Sequence, residues 1–430
     1  MCVWFASCSF ISASSPSEPL RRTVDATTAA AEVDDGMDIS PNDWPWWRGP
    51  ERNGTATSGQ TLPSKFSATE NIVWSADVPG RGLSSPTVVG SRVFLTTADD
   101  ASGEQRVLCF DRNTGRSLWD RQVHASGGMQ KNNKSTAASS SVSCDGEQIY
   151  VAFPNSGALI ATALTLNGNT VWQKKVSDYV VHQGYGASPV LYQGLVIVAA
   201  DNKGGGQLAA FDKRNGQLIW SRERPRKPNY PTPTLVHVDG KDQLILVGCD
   251  LVVSYNPLTG ETNWSTQGAT TECVTSTLTD GKHIFTSGGY PKNHMSAILA
   301  DGSAELVWEN NSRLYVPSLV IRDGYLYGIL DAGIATCWEA ATGKMLWRER
   351  LGGTFSSSPV LVGDTIYATN EAGDFFIFKA SPDGFEKIAK NKLGEQVLST
   401  PTICGNRIYH RVAHLDQSGN RTEKLYCIGQ

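Results

Sequence analysis

The fold is decided by the stretch Ser84-Ser-Pro-Thr-Val-Val-Gly-Ser-Arg-Val-Phe94, because copies of it recur along the chain. The close copies are Ala187-Ser-Pro-Val-Leu-Tyr-Gln-Gly-Leu-Val-Ile197, Ser357-Ser-Pro-Val-Leu-Val-Gly-Asp-Thr-Ile-Tyr367 and Ser399-Thr-Pro-Thr-Ile-Cys-Gly-Asn-Arg-Ile-Tyr409. Weaker copies, which bring the number to eight, begin at Ser139, Thr232, Thr275 and Val316. Self-similarity at a period of roughly 20–50 residues indicates a repeat architecture.

Most copies are followed by a second element that ends in tryptophan, as in Cys109-Phe-Asp-Arg-Asn-Thr-Gly-Arg-Ser-Leu-Trp119. The tryptophans in this place are Trp74, Trp119, Trp172, Trp220, Trp264, Trp308 and Trp347, with steps of 45, 53, 48, 44, 44 and 39 residues. In the seventh copy Ile388 is expected in the tryptophan place. Such a step is the length of four short strands with their turns, the blade of a β-propeller. We expect each ladder tryptophan to fill the wedge between two blades.

The pattern therefore predicts an all-β, eight-bladed β-propeller with four-stranded blades. The eighth copy ends at Cys427-Ile-Gly-Gln430, before its own tryptophan strand, whereas an unpaired strand of that type stands at Asn71–Val78. We therefore expect the N-terminal strand to complete the last blade and to close the ring without an exposed edge.

Three regions are expected along the chain. Residues 1–43 are interpreted as a remnant export signal followed by a disordered linker, residues 44–69 as a Trp-rich arm that packs on the propeller, and residues 70–430 as the propeller. Met1–Ala13 resembles the back half of a secretory signal, and Phe5-Ala-Ser-Cys8 approximates a lipoprotein cleavage box. We expect an exported protein in the periplasm or cell envelope, with lipidation at Cys8 left open.

Composition excludes several classes of protein. A formal net charge of -4 without a basic stripe argues against nucleic acid as a partner. No stretch approaches the ~20 apolar residues of a membrane span. The nine cysteines form no CxxC motif and no adjacent pair, so neither a zinc site nor a redox motif is indicated. A monomer is expected.

Together these motifs resemble the pyrroloquinoline-quinone (PQQ) repeat of eight-bladed quinoprotein-like propellers. The leader Asp43-Trp-Pro-Trp-Trp-Arg-Gly-Pro-Glu-Arg-Asn-Gly54 is similar to that of bacterial PQQ-binding-like propellers, which are related to the outer-membrane assembly lipoprotein BamB. The resemblance covers about residues 43–430.

The resemblance implies two functions of different kinds. BamB-like members use the ring as a protein-interaction platform without a cofactor, and we expect such a non-enzymatic binding or scaffold module here, with an envelope protein as partner. The alternative is an alcohol or sugar dehydrogenase that uses PQQ and calcium. Against the alternative, the chain has no Cys-Cys dipeptide, and the calcium ligands and catalytic Asp of those enzymes cannot be placed on it. No catalytic or metal-binding residue is therefore assigned.

Residues just before each Ser-Pro motif are expected to ring one mouth of the central channel. The candidates for a ligand or partner surface are Arg81, Tyr185, Tyr230, Glu272, Arg313, Phe355 and Gln396. Aromatic rings with Arg, Glu and Gln side chains can stack on and hydrogen-bond a planar or sugar-like ligand, so a carbohydrate-binding module is a further alternative. A solvated rim without a ligand is equally compatible with the pattern. His410 and His414 lie in a strand-like run, where their spacing argues against joint metal ligation.

Overall fold

The computed structural model describes Met1, residues 39–238 and residues 240–430. All regular secondary structure in these residues is β-strand, apart from turns and bends, and none of them form a helix that could cross a membrane. Residues 2–38, which hold most of the predicted export signal and linker together with Cys8, lie outside the described residues, so these predictions are not tested.

The strands follow the repeats. The first two are β1 (Thr55–Ala56) and β2 (Ile72–Val78). Blade 1 contains β3 (Thr87–Val89), β4 (Arg92–Ala98), β5 (Gln105–Asp111) and β6 (Ser117–His124), and blade 2 contains β7 (Ser143–Cys144), β8 (Gln148–Asn155), β9 (Ala158–Thr165) and β10 (Thr170–Asp178). Blade 3 contains β11 (Val190–Tyr192), β12 (Leu195–Ala199), β13 (Gly206–Asp212) and β14 (Leu218–Arg224), and blade 4 contains β15 (Thr234–Val238), β16 (Lys241–Gly248), β17 (Leu251–Tyr255) and β18 (Thr262–Gln267).

Blades 5 to 8 continue the same order. Blade 5 contains β19 (Leu278–Thr279), β20 (His283–Gly288), β21 (His294–Leu299) and β22 (Leu306–Asn310), and blade 6 contains β23 (Val320–Arg322), β24 (Tyr325–Leu330), β25 (Ile334–Glu339) and β26 (Met345–Arg350). Blade 7 contains β27 (Val360–Val362), β28 (Thr365–Thr369), β29 (Asp374–Lys379) and β30 (Lys387–Lys392), and blade 8 contains β31 (Thr402–Cys404), β32 (Arg407–Leu415) and β33 (Arg421–Ile428).

Each blade is an antiparallel sheet of consecutive strands, which confirms the eight-bladed propeller. The short first strand of each blade follows the Ser-Pro motif, and β1 adds a parallel fifth strand beside β27 in blade 7. The predicted closure is also confirmed, since β2 pairs antiparallel with β33 and places Trp74 opposite Cys427. The last blade is thus assembled from both ends of the propeller sequence.

The tryptophan of one blade packs against a turn of the next blade. In blade 1 this turn begins at Asp111, whose carboxylate accepts hydrogen bonds from the backbone N–H and the hydroxyl of Thr114. It ends at Gly115, whose φ of 70° suits glycine and where a Cβ atom would collide with the Trp74 ring. The Trp74 indole N–H donates to the carbonyl of Arg112 at 2.9 Å. A ring and a turn from adjacent blades therefore fit together at each such wedge.

The same contact recurs around the ring. The indole N–H groups of Trp119, Trp172, Trp220, Trp308 and Trp347 donate to the carbonyls of Leu166, Lys213, Pro257, Ala340 and Ser381, at 2.8 to 3.1 Å. Trp264 differs, because it donates to the Gln243 side chain, whose amide in turn donates to the carbonyl of Ala300 in the next blade.

The wedge between blades 7 and 8 is built differently. The sequence placed Ile388 in the tryptophan position, but the strand register aligns Ala389 there, opposite Ile377, and Ile388 is exposed. The error arises because the turn before the outer strand is longer in blade 7 than in blade 1, since Phe378 pairs with Lys387 whereas the equivalent Phe110 pairs with Ser117. Phe66 packs edge-on against Phe375 beside this seam, and its backbone N–H donates to Asn391. The segment before β2 thus supplies the aromatic ring that blade 7 lacks.

Candidate functional site

The start of the innermost strand carries two neighbouring hydroxyl groups in five of the eight blades, and a single one in blades 3, 4 and 6, where Ala187, Pro231 and Pro317 take the first place. The first one holds the blade together, as in blade 1, where the Ser84 hydroxyl donates to the carbonyl of Thr96 in the second strand. The second one joins neighbouring blades, since the backbone N–H of Ser85 donates to the hydroxyl of Ser141 at 2.9 Å. The motif therefore encodes contacts within and between blades.

The second hydroxyls form a ring around the axis, which we call the hydroxyl ring. Its members are Ser85, Ser141, Ser188, Thr232, Ser276, Ser318, Ser358 and Thr400. Seven of these hydroxyls accept a backbone N–H from the preceding blade at 2.9 to 3.1 Å, and the bond from Thr400 to Ser85 carries the chain of bonds across the closure. The eighth, Ser276, accepts instead from the indole N–H of Trp47 at 2.9 Å.

Residues 44–69, called the arm below, cross the axis on the face where the innermost strands end. Trp44 pairs with Val88 of blade 1, whereas Trp47 reaches Ser276, just before blade 5. Blades 1 and 5 stand four places apart in a ring of eight, so these two contacts lie on opposite sides of the axis. We call this side of the ring the arm face.

Arg48 fixes the arm beneath the ring. Its side chain is buried, and its guanidinium donates to the carbonyls of Asn53, Leu319 and Pro359. Burial lowers the pKa of Arg48 to about 9, so the group is still charged at neutral pH. The arm therefore holds a buried cation whose recorded partners are backbone oxygens.

A loop over residues 125–142, the mouth loop, crosses the opposite face, where the innermost strands begin. The backbone N–H groups of Lys131 and Asn132 donate to the carbonyl of Gln183, which precedes blade 3. The Lys134 ammonium bonds to the Glu371 carboxylate of blade 7 at 2.9 Å. Because blades 3 and 7 are also four places apart, the loop spans the mouth of the channel. We call this side the mouth face.

A central cavity of about 100 Å³ lies between these two segments. Trp47 lines it on the arm side, and the hydroxyl ring contributes six of its eight members to the wall, together with Ser139, Ser356 and Tyr230. The remaining lining residues are Leu83, Gly186, Val274, Val316 and Leu398. No charged side chain is among the described residues that line the cavity.

The structure separates the predicted rim residues into three groups. Tyr185 and Phe355 are buried inside their blades, where Tyr185 bonds to the carbonyl of Ala199 and Phe355 packs on Phe376. They are not available to a ligand in the channel, so their assignment to the rim surface is corrected. Both residues lie in the segments that precede β11 and β27, where their side chains pack into the blade.

Arg81 and Gln396 lie on the mouth face near the closure and are held by neighbours. Arg81 pairs with Asp100 at 3.2 Å and also donates to the carbonyl of Asn133 in the mouth loop. Gln396 accepts a hydrogen bond from Arg421.

Tyr230, Glu272 and Arg313 come together on the other side of the mouth. The buried Glu272 carboxylate lies 3.1 Å from the His182 imidazole and 3.4 Å from the Tyr315 hydroxyl. The Arg313 guanidinium lies over the Tyr315 ring, 5.7 Å from its centroid. Burial and the nearby Glu272 carboxylate both raise the pKa of the Tyr230 hydroxyl. Whether these residues bind a ligand or partner stays a prediction.

Several residues around the cavity were missed by sequence reasoning. Trp47, His182 and Lys134 each contact a residue far away along the chain, and no local pattern reports such pairs. One signal was present, because the step of 53 residues from Trp119 to Trp172 is the longest of the ladder. The additional residues of that step belong to the mouth loop.

The residues do not match a calcium-bound quinone. Calcium takes six to eight oxygen ligands, with carboxylates prominent among them. Within residues 39–238 and 240–430, no three His, Cys, Asp or Glu side chains are grouped so that they could hold a metal ion. His414 pairs with Glu395 and Tyr426, and His410 is buried without a hydrogen-bond partner among the described residues. We therefore derive no step through PQQ or calcium.

Comparison with known protein families decides the relationship. The sequence model of the family described as "Outer membrane protein assembly factor BamB" matches residues 55–181, 103–347 and 299–381. The chain belongs to this family. The matched segments together extend from β1 in the arm to the third strand of blade 7.

Individual BamB proteins are similar over most of the ring. BamB of Bordetella pertussis is 23% identical over 345 residues, which cover 76% of this chain and 80% of that protein. The crystal structure of BamB from Moraxella catarrhalis has a TM-score of 0.58 at 14% identity and covers 82% of this chain and 96% of that one. A europium-containing methanol dehydrogenase has a TM-score of 0.67 at 11% identity, covering 92% and 99%, and therefore shares the propeller fold.

Proposed function

We propose that this protein is a non-enzymatic scaffold of the cell envelope that binds a protein of outer-membrane assembly. The observation that carries the proposal is the match of the BamB family to residues 55–381, which span most of the ring. Four curated relatives, including those of Bordetella pertussis, Burkholderia pseudomallei and Yersinia pestis, are outer membrane protein assembly factors. Export and a location in the periplasm or at the envelope follow from the same proposal.

The mouth face is the side of the ring that we assign to the partner. The arm covers the opposite face through buried contacts, and this leaves the mouth face with the exposed functional groups. Val180 and Tyr290 are 51% and 53% exposed there, in loops that adjoin His182 and Glu272. Exposed apolar side chains among polar and charged groups are typical of the centre of a protein interface.

Genetic complementation tests this proposal. The chain is expressed in a bacterium that lacks its own BamB, and the amounts of folded outer-membrane proteins are measured. We expect the wild-type chain to restore them. The double variant Val180→Asp, Tyr290→Asp is expected to fail, because it places two charges in the apolar part of the interface.

The control is Val307→Asp, which changes an apolar residue that is 41% exposed on the outer strand of blade 5. It is expected to complement like the wild type. Loss of complementation in the control alone would place the interface on the outer strands. Substrate-dependent dye reduction by the chain with PQQ and calcium would contradict a non-enzymatic scaffold.

A further inference from the structure

The hydroxyl ring directs unused hydrogen-bond donors into the central cavity. Each ring hydroxyl accepts one N–H, either from the preceding blade or from Trp47. None of the eight donates its own proton to another described residue. A hydroxyl group has one donor and two acceptor sites, so each retains bonding capacity for an occupant of the channel.

Tyr230 adds a second and independent observation. Its side chain lines the same cavity and the residue is 9% exposed, yet its hydroxyl makes no hydrogen bond of normal geometry with any described residue. The backbone of Gln183 approaches the oxygen closely enough to affect its pKa. A buried hydroxyl without a partner is costly, and it is the kind of group that a bound molecule would satisfy.

The lining also restricts the chemistry of an occupant. The described lining residues carry no charge, so an ion would lose its hydration without gaining a counter-charge. A wholly apolar molecule would leave the hydroxyl groups without partners. Trp47, Leu83, Val274, Val316 and Leu398 alternate with the hydroxyls and offer apolar surface to C–H groups.

We propose that the central cavity binds one small uncharged polyol, a sugar ring or a linear polyhydroxy compound. Its hydroxyls bond to the hydroxyl ring and to Tyr230, and its C–H face lies against Trp47. The cavity volume of about 100 Å³ exceeds the ~10–15 Å³ that a single water needs, so there is room for one small molecule. This site is separate from the protein-binding surface proposed above and does not depend on it.

The mouth loop controls access to this site. The part that can move is residues 130–135, where the Lys134 side chain that reaches blade 7 is 55% exposed. The Glu371 carboxylate also accepts a hydrogen bond from Ser356, which lines the cavity. Opening breaks this solvent-exposed ion pair, which is of small energy, together with the bonds to Gln183 and Arg81, and it leaves the core of each blade intact.

Saturation-transfer NMR and calorimetry on the full chain test the proposal, with D-glucose as the ring probe and glycerol as the linear probe. Saturable binding of at least one probe is expected, at millimolar concentrations for so small a ligand. Tyr230→Phe removes a single hydroxyl and is expected to weaken this binding about fivefold, corresponding to the loss of one hydrogen bond. The matched control Tyr325→Phe changes a half-buried tyrosine in β24, outside the cavity, and is expected to bind like the wild type.

The contradicting results are equally definite. If neither probe saturates at concentrations up to about 100 mM, well above the millimolar range, the cavity holds only water and the proposal is wrong. Equal affinity of Tyr230→Phe and wild type would place the binding site elsewhere. If succinate binds as tightly as the neutral probes, the argument from the uncharged lining fails.

Discussion

Two segments cross the axis of the ring on opposite faces, and they are held by opposite kinds of contact. The arm is fixed by the buried Arg48 guanidinium and by Trp47 in the channel. Residues 130–135 of the mouth loop are fixed by backbone bonds to Gln183, by the exposed Lys134–Glu371 pair and by the Arg81 bond to Asn133, whereas the loop from Thr136 onward is packed in the core. Buried polar groups are expensive to release, whereas exposed ion pairs contribute little. The comparison indicates that the arm belongs to the fold and that residues 130–135 of the mouth loop are a movable cover.

Composition explains the difference. The arm begins with three tryptophans and an arginine between Trp44 and Arg48, which supply both large apolar surface and a fork of hydrogen-bond donors. Residues 130–135 of the mouth loop are Gln, Lys, Asn and Ser, which have little apolar surface to bury. A segment of this second kind gains too little on packing to be held rigidly.

The largest effect is expected from deletion of residues 70–78, which removes β2, the continuation of the arm. The eighth blade would lose its fourth strand, β33 would become an exposed edge, and the Trp74 contact with blade 1 would disappear. We expect a loss comparable with the whole stability of a domain, on the order of 5 kcal/mol or more. A thermal melt within a few degrees of the wild type would contradict closure by the N-terminal strand.

A smaller but still large effect is expected for Arg48→Ala. The substitution leaves the carbonyls of Asn53, Leu319 and Pro359 without their donor, at a cost of about 3 kcal/mol or more in the free energy of unfolding. Arg48→Met keeps much of the volume and is expected to lose nearly as much. Denaturant unfolding measures both, with the exposed Arg116→Ala as control. If all three variants unfold alike, the arm is not integral to the fold.

Acid should destabilise the region beside the arm by protonating His410. The His410 ring packs edge-on against Phe375, which also contacts Phe66 of the arm. Burial lowers the pKa of His410 to about 3 from 6.5. The folded state favours the neutral form of His410, so His410 costs no stability above pH 6.5. As the pH falls from about 6.5 toward 3, the free energy of unfolding decreases by up to about 1.4 kcal/mol per pH unit, because the unfolded chain takes up a proton at His410 first. In His410→Leu the free energy of unfolding should therefore fall less steeply over this range. An unchanged slope would show that His410 is not the group responsible.

The smallest effect on stability is expected at the mouth loop. Glu371→Gln removes the charge that pairs with Lys134 and should change the free energy of unfolding by less than about 1 kcal/mol. Hydrogen exchange of the backbone amides at residues 131–135 should nevertheless become faster, because the loop opens more often. The exposed Glu386→Gln serves as control. Unchanged exchange in Glu371→Gln would mean that the ion pair does not hold the loop.

The fold could be predicted because each blade carries its own local signals. The turn from Asp111 to Gly115 and the tryptophan that packs on it recur in most blades, and the unpaired strand at Asn71–Val78 revealed the closure. The one error in register, Ile388 for Ala389, came from the turn before the outer strand, which is longer in blade 7 than in blade 1.

The site was predicted only in part, because its geometry depends on contacts between distant segments. The repeat alignment located the mouth correctly through Tyr230 and Glu272, but it did not show that Tyr185 and Phe355 point into their blades. Trp47 reaches Ser276 over 229 positions of sequence, and Lys134 reaches Glu371 over 237. Pairs of this separation arise from ring closure and leave no periodic pattern.

The central claim is that the arm face serves the fold and the mouth face serves the partner. Photocrosslinking in cells tests it most directly, with a photoreactive amino acid placed either at position 290 on the mouth face or at the exposed position 51 in the arm. Adducts with a protein of outer-membrane assembly are predicted from position 290 and not from position 51. Adducts from position 51 alone, or from neither position in cells that the chain complements, would contradict the account.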